Sequence, residues 1–391
     1  METLAVIVNY KSADLTIQAV RSVLDSEYLG SVYVVVVDNS ADKGETQRLR
    51  LGLPSKVDLR VSPENIGFAR ACNQALDGFR GDGILLITPD AKLLPGCLKR
   101  LQETLFSSEK VGAVSSRLFW DEGRRFYLPS SYPPSLLFQN VLEAAPPEAG
   151  ITRFLSGWWR RHSIKVWRSG TPIRVGNLSG GLVLVKWDAV DAAGGLFDPR
   201  FFLYYEDTDL FVRIKKAGFT LMVEPRAQAI HHYDQCGQQD LGQKRSLMAQ
   251  SRRLFLEKYC RGWRRGANKM ISGIKWLPRD AKGSFAPPRF RRPFVLDIPH
   301  ELQDGWLFEW SPNPNFIPSA GRFGKGSVMR FHKGYWNQLT PGQYFGRLGR
   351  PKGLETHFVT FSWRVGDSTP LESNAGGPWD GRMERSQGWE M

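Results

Sequence analysis

The stretch Val32-Tyr33-Val34-Val35-Val36-Val37, closed by Asp38-Asn39-Ser40, decides the fold class of this chain. β-Branched residues follow one another here without the polar alternation of a sheet that faces water on one side. Such runs are typical of strands buried on both faces of a parallel sheet. The stretch therefore predicts a central strand of an α/β protein, with polar residues at its carboxyl end.

Apolar runs and helical patterns alternate on both sides of this strand. Strands are predicted at Leu4–Val8, near Leu59–Val61, at Ile84–Ile87 and near Val111–Ser115, with helices from about Gly67 to Phe79 and from Pro95 onward. This alternation predicts a doubly wound α/β sheet flanked by helices. Ligands of such sheets bind beyond the carboxyl ends of the strands, which here carry Asn9, Tyr10, Asp38 and Asp90.

Composition and charge narrow the class of protein. The 391 residues include 41% hydrophobic ones, enough for a sizeable core, and carry a net charge of +14. This charge suits phosphorylated substrates, an acidic membrane face or nucleic acid, without choosing among them. The glycine-rich dinucleotide fingerprint and the P-loop are both missing, which disfavours an ordinary dehydrogenase or nucleoside triphosphatase. Scattered cysteines, no leader pattern and no long apolar run predict a cytoplasmic protein, soluble or peripheral on the membrane.

A family resemblance rests on an ordered series of motifs. In chain order they are Val6–Lys11, Val37–Ser40, Asn65–Asn73, Leu86–Asp90, Gly180-Gly181, Gly194–Phe202 and Tyr204–Leu210, followed by Arg213 and Gly218. Over roughly residues 3–260 the chain resembles the family 2 glycosyltransferases of the GT-A fold, particularly the rhamnosyltransferase-like branch that builds bacterial surface polysaccharides. The resemblance implies a GT-A-type doubly wound mixed sheet and a metal-dependent, inverting transfer of a sugar.

The resemblance also assigns the donor side of the site. The end of the first strand, at Val8 and Tyr10, would pack against the base of the nucleotide, and Tyr10 has a flat face suited to stacking. Asp38 would accept a hydrogen bond from a pyrimidine imide, although an Asp-Asn-Ser sequence is also an ordinary turn. Arg70 would approach the donor phosphate or sugar, or else be a solvated helix arginine.

A divalent cation, Mg²⁺ or Mn²⁺, is implied beside the diphosphate. By resemblance Asp90 stands at the place of the family's Asp-x-Asp-like motif, which is reduced here because Ala91 follows it. A strand-end carboxylate supplies a hard oxygen ligand on a rigid element, and a neutral imidazole can ligate beside it. His231 and His232 follow a predicted strand, Thr220–Glu224, and the segment Ala227–Ile230. His231 is the better match for the second ligand, with His232 left open. The alternatives are a turn-capping role for Asp90 and a structural histidine.

The strongest local signal is an acidic cluster. Glu206, Asp207 and Asp209 directly follow the aromatic run Phe201–Tyr205. A helix N-terminus favours acids, so capping explains one of these three carboxylates but not all of them. Partial burial against aromatic rings would raise the pKa of a base toward the working pH. By resemblance Asp207 is the catalytic base and Glu206 positions the acceptor, while Asp209 caps the helix or supports the acceptor site.

A glycine pair precedes the predicted strand Leu182–Val185. Gly180 and Gly181 permit close backbone approach to a ligand, and the resemblance places donor or acceptor contacts nearby, with the acceptor preferred. Tight packing within the sheet would explain the same two residues.

Two domains are predicted. Residues 1–265 form the glycosyltransferase domain, with an insert at about 120–174, and residues 266–391 form a β-rich accessory domain with a loosely ordered tail. In the insert, the basic aromatic stretch Trp158–Arg168 suits a membrane headgroup layer, nucleic acid, or merely a solvated helix face. In the accessory domain, strands are predicted at Gly305–Trp310, Ser327–His332, Gly342–Leu348 and His357–Val365, and its tryptophans either stack on sugars or fill a core.

The predicted function is the inverting transfer of a sugar, with rhamnose as first choice, from a nucleoside diphosphate donor. The donor would be dTDP-rhamnose or a UDP-sugar, and the acceptor a hydroxyl of a glycan or lipid-linked glycan in cell-surface polysaccharide synthesis, such as lipopolysaccharide O-antigen. Contact with the inner-membrane surface fits such an acceptor. The alternative is a non-catalytic sugar- or nucleic-acid-binding protein on a degenerate GT-A scaffold. Nucleic acid is disfavoured because the acidic cluster would repel phosphate in the absence of a metal.

Overall fold

The computed structural model describes residues 1–129, 131, 138, 149–232, 241–260, 289–352 and 359–366. Its strands are β1 (Glu2–Asn9), β2 (Ser31–Asp38), β3 (Asp58–Val61), β4 (Gly83–Ile87), β5 (Ala91–Leu93), β6 (Val111–Phe119), β7 (Ile173–Val175), β8 (Leu182–Lys186), β9 (Thr220–His231), β10 (Phe294–Asp297), β11 (Trp306–Ser311), β12 (Ala320–Gly324), β13 (Val328–Phe331), β14 (Gly342–Gly349) and β15 (Val359–Val365). Its α-helices are α1 (Ala13–Leu24), α2 (Lys43–Gly52), α3 (Phe68–Ala75), α4 (Cys97–Leu105), α5 (Gly150–Arg168), α6 (Trp187–Ala192), α7 (Glu206–Lys216), α8 (Leu241–Tyr259) and α9 (Lys333–Trp336).

Nine strands form one mixed sheet. Their order is β3-β2-β1-β4-β8-β6-β9-β5, with β7 also paired to β9. Strands β1 to β4 run parallel to one another, whereas β8 is antiparallel to both of its neighbours, β4 and β6. The predicted doubly wound mixed sheet is therefore confirmed. The parallel strands end at one edge, which carries Asn9, Asp38 and the turn after β4.

Strand β2 is buried on both faces, as its valines predict. Val34 and Val36 pack into the core that holds α1, α2 and α4. Val35 and Val37 pack into the opposite core, with α3, α7 and α8. Each fully buried side chain of this size stabilises the fold by about 1.5–3 kcal/mol relative to exposure. A polar residue at any of these four positions would lose that contribution.

Two elements differ from the prediction. Helix α2 was not expected, because it buries few residues, Leu49 among them, and so lacks an apolar period. It begins instead at a cap: Asp42 accepts hydrogen bonds from the backbone N–H groups of Gly44 and Glu45. The segments Thr220–Glu224 and Ala227–Ile230, predicted separately, form the single strand β9, which absorbs a shift of register against β6.

The C-terminal region is a β-rich module. A four-stranded antiparallel sheet, β12-β11-β14-β15, lies with the two-stranded sheet β10-β13. The four predicted strands correspond to β11, β13, β14 and β15. A further strand, β12, begins at Ala320 and Gly321 and pairs with β11. Of the two readings of its tryptophans, core filling is confirmed for Trp306, Trp310 and Trp363, which are buried.

The insert joins the large sheet to this module. Trp120 and Phe126 belong to the module's own core. Tyr127 exchanges two backbone hydrogen bonds with Gly321, at 2.8 and 3.0 Å between nitrogen and oxygen. The Trp167 ring lies so close to Gly321 that a Cβ there would be 2.4 Å from it. The predicted domain boundary at 265 and the tail after residue 366 lie outside the described residues.

The basic aromatic stretch Trp158–Arg168 lies in helix α5. Within the described ranges, none of the helices combines the length and the apolar character needed to cross a bilayer.

Candidate active site

The chain enters α7 through a strained turn. Tyr204 and Tyr205 both adopt left-handed backbone conformations, with φ of 71° and 66°. Such conformations in residues other than glycine are destabilising by on the order of 1–3 kcal/mol each and persist where the surroundings hold them. One such restraint is the 2.7 Å hydrogen bond from the Phe68 N–H of α3 to the Phe202 carbonyl. The turn places Glu206 and Asp207 at the first positions of α7.

Hydrogen bonds to both of its carboxylate oxygens hold the side chain of Asp207 in place. Its Oδ2 accepts from the Gly180 N–H at 2.9 Å, and its Oδ1 accepts from the N–H and, at 3.2 Å, the hydroxyl of Thr208. Burial raises the pKa of Asp207, while the hydrogen bonds from Gly180 and Thr208 act in the opposite direction. The result is a carboxylate whose pKa is raised, as general base catalysis requires, and whose orientation is set by the backbone.

Glu206 is buried beside Asp207, and its carboxyl group is less well hydrogen-bonded than that of Asp207. Its Oε2 makes no hydrogen bond within the described residues. Burial, and then the charge of Asp207, raise the pKa of Glu206 to about 8. At neutral pH the proton of this pair therefore resides mainly on Glu206, and the negative charge resides on Asp207. A protonated Glu206 can donate a hydrogen bond, and an ionised Asp207 can accept a proton.

Replacing Glu206 with Gln is expected to raise the free energy of unfolding at alkaline pH by on the order of a few kcal/mol. The folded-state pKa of about 8 lies above the ordinary 4.5, so this group's contribution to stability is complete below the ordinary value and is lost as pH rises through 8. Gln stays neutral throughout. Urea unfolding at acidic and alkaline pH measures the effect, with the exposed Glu64→Gln as matched control. Identical pH slopes for the Glu206 variant and the wild type would contradict the assignment.

The candidate metal ligands lie together. Asp90 Oδ1 is 3.3 Å from His231 Nε2, and both side chains are buried. The two residues meet because His231 ends β9 at the position paired with Ala91 of β5. His232 is directed elsewhere, with its Nε2 3.3 Å from Glu122. Of the two histidines, the structure thus brings His231 to Asp90.

This pair fits a divalent cation shared with a ligand. A carboxylate oxygen and an imidazole nitrogen at this separation can bind one ion together, and Mg²⁺ is commonly held by one or two carboxylates plus substrate phosphates. Within the described ranges no group of three or more His, Cys, Asp or Glu side chains is assembled.

The glycine pair separates these two parts of the site. A Cβ at Gly180 would lie 2.9 Å from the Asp207 Cβ, and a Cβ at Gly181 would lie 2.6 Å from His231 Cε1. The Gly181 carbonyl also accepts the Thr88 N–H at 2.9 Å, which ties the pair to the turn after β4. Any side chain here would displace the base or the histidine, so the close approach is to site residues of the protein itself.

On the donor side, the structure separates an exposed ring from a buried acid. Tyr10 is 36% exposed, at the end of β1, whereas Val8 and Asp38 are buried. Asp38 accepts hydrogen bonds from Asn9 Nδ2 at 3.0 Å and from the Thr46 hydroxyl. The Asp38 carboxylate therefore stabilises this edge of the sheet from inside the protein. The exposed ring of Tyr10 is the group that a nucleotide base can reach.

Two further predicted residues, Arg70 and Asp209, make contacts within the protein. Arg70 Nε donates a hydrogen bond to the Pro199 carbonyl at 3.1 Å, and the Arg70 side chain is exposed at the surface.

Asp209 is fully buried. It lies 2.8 Å from Arg213 Nε and 2.7 Å from both Lys258 Nζ and the Tyr259 hydroxyl. This arrangement differs from acceptor binding, because its carboxylate ties α7 to α8. Sequence reasoning missed Lys258 and Tyr259, since nothing near them in the chain indicates Asp209 as a partner.

Comparison with known proteins places the chain in a class. Residues 4–174 match the sequence model of Glycosyl transferase family 2. The chain is 27% identical over 250 residues to the N-acetylglucosaminyl-diphospho-decaprenol L-rhamnosyltransferase of Mycobacterium tuberculosis, in two strains, covering 59% of this chain and 76% of that protein. The protein is a glycosyltransferase. Its residues 4–174 are similar to family 2 of these enzymes, and the chain is also similar to a rhamnosyltransferase.

Two solved structures are also similar. A mannosyltransferase from Pyrobaculum calidifontis, in complex with GDP-Man and Mn2+, shares 18% identity at a TM-score of 0.37, covering 60% of this chain and 58% of its own. GalNAc-T7 with UDP, GalNAc and Mn2+ shares 16% identity at a TM-score of 0.41, covering 59% of this chain and 42% of its own. This chain thus spans about half the length of these two structures.

Proposed function

We propose that this chain catalyses the inverting transfer of a sugar from a nucleoside diphosphate donor to a hydroxyl of a glycan or lipid-linked acceptor. The observation that carries the proposal is the convergence of Asp207 and of the Asp90–His231 pair on the successive glycines Gly180 and Gly181. A base for the acceptor and a cation site for the donor thereby lie against two adjacent residues of the chain. An inverting transfer needs these two functions on either side of one reacting carbon.

The proposed reaction is a single displacement. The acceptor oxygen attacks the anomeric carbon while the bond from that carbon to the phosphate oxygen breaks. Asp207 takes the proton of the acceptor hydroxyl, and the nucleoside diphosphate leaves with the bonding electrons. Attack opposite the leaving group inverts the anomeric configuration. Glu206, protonated at neutral pH, can donate a hydrogen bond to the acceptor and so orient it.

Asp90 and His231 would hold Mg²⁺ or Mn²⁺ in the proposed site. A divalent cation there supplies positive charge beside the leaving diphosphate. Tyr10, exposed at the end of β1, would stack on the base of the nucleotide.

We propose dTDP-rhamnose as the first donor to test and UDP-sugars as the second. The name of the mycobacterial relative specifies rhamnosyl transfer to N-acetylglucosaminyl-diphospho-decaprenol. It supports a rhamnose donor and a lipid-linked acceptor for this chain. A non-catalytic sugar-binding role through the C-terminal module lacks such support, because Trp306, Trp310 and Trp363 are buried in that module's core.

A thermal-shift experiment tests the donor and cation site. Nucleoside diphosphates are expected to stabilise the protein only with Mg²⁺ or Mn²⁺ present. The linkage effect is roughly 2.7 kcal/mol at ligand concentrations about 100 times the Kd. Asp90→Ala and His231→Ala should each remove the metal-dependent part, since each deletes one half of the pair.

His232→Ala is the matched control, because His232 is the neighbouring histidine and contacts Glu122 instead of Asp90. It should keep the metal-dependent stabilisation. Equal stabilisation in EDTA, or loss of the effect in the His232 variant alone, would overturn the assignment of the cation site.

A further inference from the structure

Helix α5 has one face packed and one face in solvent. The packed face carries buried residues at helical spacing: Thr152, Ser156, Trp159, Arg160, Ser163, Ile164, Val166 and Trp167. Two of them anchor the helix, since Arg160 pairs with Glu309 and Trp167 Nε1 donates to the Leu128 carbonyl at 2.9 Å. The orientation of α5 is therefore set by the fold, and so is the face that it presents outward.

The outward face begins with large apolar side chains. Ile151, Phe154 and Trp158 are 40%, 67% and 48% exposed. Their spacing of three and four residues puts them on one line along the helix. The Trp158 ring is steadied by Phe138 and His162, at centroid distances of 5.7 and 6.4 Å. Such a contiguous apolar line in water is unfavourable and marks an interaction surface.

The same line continues as basic residues. Arg161 and Lys165 follow Phe154 and Trp158 at helical spacing, and Arg153 flanks them; all three basic side chains are exposed. Helix α5 contains no acidic residue over its 19 positions. Within the described part of the chain, none of these three cations forms an ion pair. The surface is thus apolar at one end, cationic at the other, and unneutralised.

We infer that the outward face of α5 binds the surface of an anionic phospholipid bilayer. Phe154 and Trp158 enter the boundary between headgroups and acyl chains, and Arg161 and Lys165 contact the lipid phosphates. Aromatic rings favour that boundary, and long basic side chains reach headgroups from it. Burial lowers the pKa of His162, so at neutral pH it adds no charge and serves as a ring against Trp158.

A bilayer fits this face better than nucleic acid does. The apolar end of the line, formed by Ile151, Phe154 and Trp158, contains the most exposed side chain, Phe154. A polyphosphate backbone would leave these apolar side chains in water. The inference stands independently of the proposed reaction. If both hold, α5 would bring the transferase domain to the layer where lipid-linked acceptors lie.

Vesicle flotation with the full-length chain tests the inference. We expect binding to vesicles of equal parts phosphatidylglycerol and phosphatidylcholine, and little binding to phosphatidylcholine alone. Each basic residue near an anionic surface strengthens binding roughly fivefold, so Arg161→Gln with Lys165→Gln should weaken it roughly 25-fold. Phe154→Ala with Trp158→Ala should weaken it on the order of tenfold, and this loss should persist at high salt, where charge attraction is screened.

Matched controls come from α2, which also exposes basic and apolar side chains. Lys43→Gln with Arg50→Gln removes the same charge, and Leu51→Ala removes a side chain that is 78% exposed. Both should bind vesicles like the wild type. Circular dichroism and nucleotide binding check that every variant is folded. The inference is overturned if the α5 variants bind vesicles as the wild type does, if the α2 controls lose as much, or if the α5 changes abolish binding to single-stranded nucleic acid instead.

Discussion

Replacing Asp207 with Asn is expected to lower turnover by about 10²–10⁴-fold while the affinity for the donor changes little. Asn keeps the shape of the side chain but cannot accept a proton at neutral pH. The Asp207 carboxylate accepts the Gly180 N–H and, in the proposed site, would face the acceptor, so the diphosphate should lose no contact. Burial raises the pKa of Asp207, and wild-type turnover should rise with pH through that pKa as the base loses its proton. The variant should lack this rise.

Asp209→Asn is the matched control, two residues along the same helix. Asp209 is bound to Arg213, Lys258 and Tyr259, so its loss should lower the free energy of unfolding by a few kcal/mol. Turnover per folded molecule should stay near wild type. Sugar transfer, donor binding and urea unfolding, measured on both variants, separate the two roles. Near-normal turnover in the Asp207 variant would show that this carboxylate is not the base.

Replacing Glu309 with Gln is expected to lower the free energy of unfolding by about 3–5 kcal/mol. The Glu309 carboxylate is fully buried between two arginines: Arg160 Nε at 2.6 Å, and Arg347 Nε and Nη2 at 3.0 and 2.8 Å. Gln would remove the buried negative charge that both guanidinium groups contact. Because Arg160 belongs to α5 and Glu309 to β11, the change should loosen the C-terminal module from the insert.

The pH dependence gives this prediction a second readout. Burial by itself raises the pKa of Glu309, but the charges of Arg347 and Arg160 outweigh it and hold the pKa below its ordinary value. The stabilisation is therefore present above the ordinary carboxyl pKa and is lost as pH falls through the depressed one, where the two proteins should converge. Urea unfolding measures both effects. The exposed Glu301→Gln is the control and should stay within about 0.5 kcal/mol of wild type; an equally small change for Glu309→Gln would contradict the prediction.

The sequence alone predicted the sheet and the polar residues at its edge. The valine run of β2 predicted a strand buried on both faces, because local hydrophobicity reports burial directly. The acidic cluster at Glu206–Asp209 and the strand-end Asp90 were also recognisable from the sequence. Secondary structure alone does not require carboxylates at these positions. The strands β11, β13, β14 and β15 followed from the same kind of local pattern.

Only the tertiary structure decided which of these groups act together. Asp90 meets His231 because β5 pairs with β9, and Asp209 turns inward because Lys258 and Tyr259 of α8 reach it. The inward and outward faces of helix α5 are fixed only by the pairing of Arg160 with Glu309. The physical reason is common to all three. Local spacing along the chain specifies secondary structure and burial, whereas partners distant in sequence are specified by packing, and the charge state of a buried carboxyl depends on those partners.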